Sequence, residues 1–219
     1  PITNLNTLPE GTLSITGQAI QNEILIANTE SLIDSDGLGS FSYQWLADGQ
    51  AIAGATEVSL QLSQSEVGKQ ISLNISYLDQ QGTYESLSSA ATASVVNIDD
   101  PATGSLSILG TPKEGGLLKA DLSNLSDPDG STSTAFQWQV KSGSYWSQIP
   151  GANSASFLIP SDKSFVGSEL RVVATTTDVL KGTTNFESNL LTINDVQVLN
   201  NNGLVDGSNV SAYQLFNNG

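Results

Sequence analysis

The chain has 219 residues, 22 acids against seven bases, a net charge of −15, and no histidine, cysteine or methionine. That composition excludes Ser-His-Asp and Cys-His nucleophile systems, zinc sites built from imidazole or thiolate, and any disulfide framework. Arg171 is the single arginine, so no basic cluster can grip phosphates and nucleic acid is not an expected partner.

Residues 1–10 read as a linker from a preceding module. Alternating apolar and polar residues between Gly, Asp and Asn turns then predict strands at 12–16, 23–27, 40–46, 58–62, 70–77 and 85–95. This first copy, residues 11–100, runs into Asn97-Ile-Asp-Asp-Pro101, which is short and carries proline and so predicts a semi-rigid spacer. A second copy, residues 101–195, predicts strands at 105–109, 117–122, 135–140, 154–159, 169–176 and 187–193. Strands at this spacing predict an all-β sandwich or barrel. Residues 196–219 match neither copy and read as a linker or the truncated start of a different domain. No apolar run of about 18 residues occurs, so no membrane insertion is expected. Without an initiator methionine or a signal peptide, the sequence suggests a monomeric piece excised from something longer.

The two copies are related by a repeat. Gly11-Thr-Leu-Ser-Ile-Thr-Gly17 returns as Gly104-Ser-Leu-Ser-Ile-Leu-Gly110, 93 residues later. At the same interval Leu32-Ile-Asp-Ser-Asp-Gly37 returns as Leu125-Ser-Asp-Pro-Asp-Gly130, and Tyr43-Gln-Trp45 as Phe136-Gln-Trp138. Ile52-Ala-Gly-Ala55 returns 97 residues later as Ile149-Pro-Gly-Ala152, which puts an insertion in the preceding hairpin, Lys141-Ser-Gly-Ser-Tyr-Trp146. Val67-Gly68 and Asp79 return 99 residues later as Val166-Gly167 and Asp178. Glu85-Ser86 reads as the counterpart of Glu187-Ser188. Alternation places Trp45 and Trp138 on the inner face, where each can bury ~150–250 Å² and anchor one sheet on the other. Trp146, beside Tyr145, has no counterpart in the first copy; edge packing and an exposed aromatic contact both stay open for it.

A tryptophan on the third strand followed by a Val-Gly corner resembles an immunoglobulin-type sandwich. The phrases Leu32-Ile-Asp-Ser-Asp-Gly-Leu-Gly39, Tyr43-Gln-Trp45, Ile52-Ala-Gly-Ala55 and Val96-Val-Asn-Ile-Asp-Asp-Pro101 are similar to repeats of large bacterial surface adhesins and RTX-type secreted proteins. The resemblance covers residues 1 to about 195. It implies two tandem immunoglobulin-like β-sandwich domains, an extracellular or bacterial cell-surface location, neighbouring repeats of the same chain as partners, and stiffening by calcium. The second copy departs from it by the insertion, by Phe136 in place of Tyr43, and by its ending, Ile193-Asn-Asp195.

On the frame that the resemblance implies, six acids converge where the copies join. Glu66 comes from the lower corner of the first copy, Asp99 and Asp100 from the linker, Asp127 and Asp129 from Asp-Pro-Asp-Gly, and Asp178 from an upper turn. The set is similar to a cadherin junction, and Ca²⁺, with ~6–8 oxygen ligands, suits it. Asp34, Asp36 and Asp79 form the same upper-end set in the first copy, incomplete without a preceding linker. Turn chemistry is the other reading of Asp-x-Asp-Gly, because Asp caps backbone N–H groups and Gly supplies a positive φ. No flanking helices or closing glutamate make it an EF-hand.

Three functions follow for comparison. The leading one is a non-catalytic structural spacer of a secreted or surface-attached bacterial adhesin, rigidified by calcium at the junction. The alternative is a module that recognises a cell-surface glycan or protein through the Tyr145-Trp146 hairpin. Catalysis by the paired carboxylates Asp127 and Asp129 is set aside, since no basic or nucleophilic residue accompanies them in the motif.

Overall fold

Short alternating runs become strands wherever a turn residue separates them, and the computed structural model, which describes residues 5–196, contains little else. The chain divides into two compact units, Pro1–Asp100 and Pro101–Gly219. The segment expected to start another domain lies, apart from Val196, outside the described residues.

In the first unit the strands are β1 (Ser14–Thr16), β2 (Ile24–Asn28), β3 (Ser42–Ala47), β4 (Gln50–Ala51), β5 (Ser59–Gln61), β6 (Ile71–Leu78) and β7 (Tyr84–Ser88). They form a three-stranded sheet, β1-β2-β5, and a four-stranded sheet, β4-β3-β6-β7, with antiparallel pairing throughout. In the second unit they are β8 (Ser107–Gly110), β9 (Leu117–Asp121), β10 (Ser131–Ser142), β11 (Tyr145–Gln148), β12 (Ser156–Leu158), β13 (Glu169–Asp178), β14 (Thr183–Glu187) and β15 (Leu191–Thr192). The same arrangement recurs as β12-β9-β8 and β11-β10-β13-β14, with β15 added to β13. Both units are immunoglobulin-like β-sandwiches.

Period-two alternation fills each core. Ile71, Leu73, Ile75 and Tyr77 of β6 point inward, as do Leu170, Val172 and Ala174 of β13. Trp45 and Trp138 are fully buried, and a buried indole needs a partner for its N–H. Trp45 Nε1 donates to the Glu57 carbonyl at 2.9 Å and Trp138 Nε1 to that of Ser154 at 3.0 Å. The glutamine of each Tyr/Phe-Gln-Trp motif ties down the hairpin that follows. Gln44 Nε2 donates to the Trp45 and Ile52 carbonyls, and Gln137 Nε2 to those of Trp138 and Ile149.

Three expectations are corrected. The hairpin strands β4 and β11 are additional to the predicted set. The continuous strands expected at 85–95 and 187–193 do not form; pairing breaks after Ser88 and Glu187 and resumes at Ser94 and Leu191. There a side chain takes the place of the ladder, because the hydroxyls of Ser89 and Ser188 accept from the N–H groups of Leu73 and Val172, each at 2.9 Å. Register also realigns one pair of acids. Asn74 faces Ser88 as Val173 faces Glu187, so Glu187 corresponds to Ser88, and Glu85 corresponds to Thr184.

Candidate metal site

Each Asp-x-Asp-Gly motif divides its two acids between different tasks. The first carboxylate caps the turn: Asp34 Oδ1 accepts from the Asp36 N–H at 2.8 Å, and Asp127 Oδ1 from that of Asp129 at 3.0 Å. Gly37 and Gly130 close the turns with φ of 91° and 81°. The second carboxylate is carried inward, so that Asp36 and Asp129 are both only 7% exposed. Turn chemistry and burial of acid therefore coexist in one motif.

The last strand-to-strand turn brings a further buried acid to the same end of each unit. Asp79, 5% exposed, accepts through Oδ1 from the N–H groups of Gln81 and Thr83. Asp178, 3% exposed, accepts through Oδ1 from those of Leu180 and Gly182. In the second unit, carboxylate oxygens of Asp129 and Asp178 lie within 4.8 Å of one another. Two carboxylates held that close repel one another when both are ionised.

In the first unit hydrogen-bond donors from residues 6 and 7 reach Asp36 and Glu85. Thr7 gives Asp36 Oδ2 both its backbone N–H and its hydroxyl, each at 2.6 Å, while Asn6 Nδ2 donates to Glu85 Oε1 at 2.8 Å. Asp79 Oδ2 is buried with no hydrogen-bond partner. Tyr77 donates its hydroxyl to Asp34 Oδ2 at 2.6 Å. Burial, then that bond and the charge of Asp34, raise the phenol well above its ordinary pKa.

The 93-residue interval aligns Asn6 and Thr7 with Asp99 and Asp100. Residues that donate hydrogen bonds to the first unit's acids are thus aligned with residues whose side chains are themselves acids. At the position of Glu85 the second unit has Thr184, whose hydroxyl accepts from the Ala102 N–H at 3.0 Å. Asp100 belongs to a short clasp in the first unit: Gln21 donates from Nε2 to Asp100 Oδ2 and accepts at Oε1 from the Ile98 N–H. Glu66 is 8% exposed and caps the 3₁₀ turn Gln64–Glu66, with Oε2 accepting from the Ser63 N–H and hydroxyl.

Thr7 and Gln21 were not singled out from the sequence, and Glu85 only as part of a repeat match. Carrying the repeat interval back into residues 1–10 would have found Thr7. The same interval pairs Gln21 with Glu114, whose Oε2 accepts from the Val196 N–H at 3.5 Å.

Trp146 of the inserted hairpin packs against its own sheet. The Arg171 guanidinium sits 4.4 Å from the centre of the Trp146 ring. Arg171 in turn donates to Gln139 Oε1 at 2.7 Å and to Glu187 Oε2 at 2.6 Å, and Lys141 pairs with Glu169 alongside. Trp146 is half-buried under this cover, whereas Tyr145 is 79% exposed.

No protein-family model and no curated protein matches the chain. Among solved structures it is similar to the three N-terminal domains of the Highly Immunogenic Outer Capsid protein of bacteriophage RB49, at 12% identity over 81% of this chain and 58% of that one, TM-score 0.29. It is also similar to a Ca²⁺-stabilized adhesin that helps an Antarctic bacterium reach out and bind ice, at 10% identity over 88% of this chain and 50% of that one, TM-score 0.33. Domains IG1+IG2 of DIP-gamma align at 9% identity over 89% of this chain and all of theirs, TM-score 0.34. The chain thus spans 58% and 50% of the first two.

Proposed function

We propose that the chain supplies two non-catalytic spacer modules of a secreted or surface-attached bacterial adhesin of the RTX type, with calcium shared at the junction as in cadherins. One observation carries this reading: acids replace the neutral donors Asn6 and Thr7 at the equivalent positions of the linker, while the second unit keeps its buried pair, Asp129 and Asp178. Two buried carboxylates with oxygens within 4.8 Å of one another form a set that a cation would stabilise. A hard divalent ion that takes ~6–8 oxygens suits an all-carboxylate set.

In this reading Asp99, Asp129 and Asp178 are the principal ligands, with Asp100 and Asp127 fixing the linker and the turn. Glu66 supports its corner as a cap. Asp34, Asp36 and Asp79 form the corresponding set in the first unit, where Asn6 and Thr7 stand in place of the linker acids. Calcium would cancel the mutual repulsion of the acids and set the stiffness of the array, and neighbouring repeats would be its partners. Catalysis by Asp127 and Asp129 is disfavoured, because the first carboxylate is already engaged by the backbone of the second.

Calorimetry with calcium and with chelator tests the reading. Extracellular modules bind at about 10⁻⁴–10⁻³ M, so calcium near 100 times Kd should add ~2.7 kcal/mol to the stability of the folded chain. An unfolding transition unmoved by calcium removes the proposal.

A further inference from the structure

We propose that the outward face of the first unit's four-stranded sheet binds an uncharged saccharide. The site is a groove across β3, β6 and β7, and it is independent of calcium.

Register sets the side chains of this face in rows. Ser42, Ser76 and Ser86 lie side by side across the three strands, and Gln44, Asn74 and Ser88 form the next row. On the other flank Tyr84 stands opposite Leu78. Short serines between taller rows leave a groove of about 270 Å³, lined by both polar rows and by Tyr84. That is close to the ~300 Å³ at which small-ligand sites begin, and gives room for a sugar-sized ligand.

The lining selects by chemistry. β3, β6 and β7 hold one charged residue between them, Glu85, and it is buried. The groove is thus uncharged in a chain of net charge −15. Among the described residues, the side chains of Ser42, Asn74, Ser76 and Ser86 make no hydrogen bond within the protein. Gln44 uses Nε2 on the Trp45 and Ile52 carbonyls, which leaves Oε1 to accept. Neutral hydroxyls and amides that donate and accept match the hydroxyl groups of a sugar. Tyr84, 70% exposed, offers a ring face to the apolar C–H side of a pyranose and a hydroxyl at its rim.

The second unit carries different residues at the same places. Ala135, Thr175 and Asn185 take the floor, where Thr175 donates its hydroxyl to Asn185 Oδ1 at 2.6 Å. Val173 and Glu187 flank them, and Thr183 stands where the first unit has Tyr84. β-Branched residues suit a strand and asparagine does not, so Val173, Thr175 and Thr177 build a sheet better than Asn74, Ser76 and Leu78. The first unit gives up strand propensity on this face and gains no internal hydrogen bond from the floor serines. A local rule broken without structural return marks a functional surface.

The test is an amide-shift NMR titration of the full chain in chelator. The probes are the methyl glycosides of glucose, galactose, mannose and N-acetylglucosamine, with methyl glucuronide as the charged comparison. At least one neutral glycoside should shift the amides of Ser42, Asn74, Ser76 and Ser86 saturably, and glucuronide should bind more weakly than glucoside. Tyr84→Ala removes the ring, and Ser76→Val fills the floor with a good strand former; the same spectra show that both stay folded. Each should weaken binding about tenfold, as loss of an anchoring contact does. The inference is overturned if no neutral glycoside shifts these amides, if the shifts fall elsewhere, or if either variant binds like the parent. Glucuronide bound as tightly as glucoside overturns it too. Shifts of the same amides on diluting the protein alone also overturn it, because a second copy then covers the face.

Discussion

At Gly110 the backbone has φ of +120°, and a Cβ there would lie 2.2 Å from the Leu117 carbonyl oxygen. Gly17 stands in the same place in the first unit, with φ of +110° and a Cβ position 2.4 Å from the Ile24 oxygen. These glycines let the first strand of each sandwich end against the second, which explains their place in the repeat. Gly110→Ala should cost about 1–3 kcal/mol in the second unit and leave the first unchanged, as read from the two unfolding transitions. Tyr77 gives a second residue-scale expectation. Its phenol keeps its proton in the folded state because burial and Asp34 raise its pKa, whereas in the unfolded chain it ionises near 10. Its contribution is therefore complete below about pH 10 and lost as pH rises beyond that. Thr176 occupies the equivalent site, so alkaline destabilisation should be steeper for the first unit, and Tyr77→Phe should flatten it. At this scale the sequence was legible in type more than in role. Asp-x-Asp-Gly showed that acids sit in turns, but the division between a capping acid and a buried one depends on which way the turn folds over the sheets.

Among the elements, the predicted strands at 23–27, 40–46, 70–77 and 169–176 lie on observed ones, because long alternating runs with one apolar face allow one register. The ends of the last strands were not legible. Residues 85–95 carry enough Ser, Thr, Ala and Val to read as one strand, and the interruption comes from a single hydroxyl that replaces a backbone carbonyl. That substitution is testable. Ser188 is 9% exposed, and its hydroxyl accepts from the Val172 N–H in the buried core. Ser188→Ala leaves this N–H without an acceptor and should cost about 1–3 kcal/mol, with faster amide exchange at Val172 than at its neighbours. An unchanged melting point with protected exchange at Val172 would show that the neighbouring strand has closed the gap. The hairpin β10–β11 was visible only as an insertion; its pairing, and the cover of Arg171 over Trp146, needed the strand register.

For the whole molecule, charge is the property that separates two kinds of stabilisation. With 22 acids and seven bases, general repulsion among carboxylates acts on both units. Raising NaCl from about 0.1 to about 1 M shortens the screening length from about 10 Å to about 3 Å and should raise both transitions. A cation bound at the buried Asp129 and Asp178 would act differently, since buried charges are screened far less than exposed ones. At matched ionic strength, calcium should therefore add an increment that NaCl does not reproduce. Asp178→Asn separates the two effects further. Asparagine retains Oδ1 to accept from Leu180 and Gly182, so the turn survives, while the charge facing Asp129 disappears. The variant should be more stable than the parent in chelator, because one of two buried like charges is gone, and it should lose most of the calcium increment. If Asp178→Asn is instead less stable in chelator and still gains from calcium, the repulsion assigned to the pair is absent and the cation binds elsewhere.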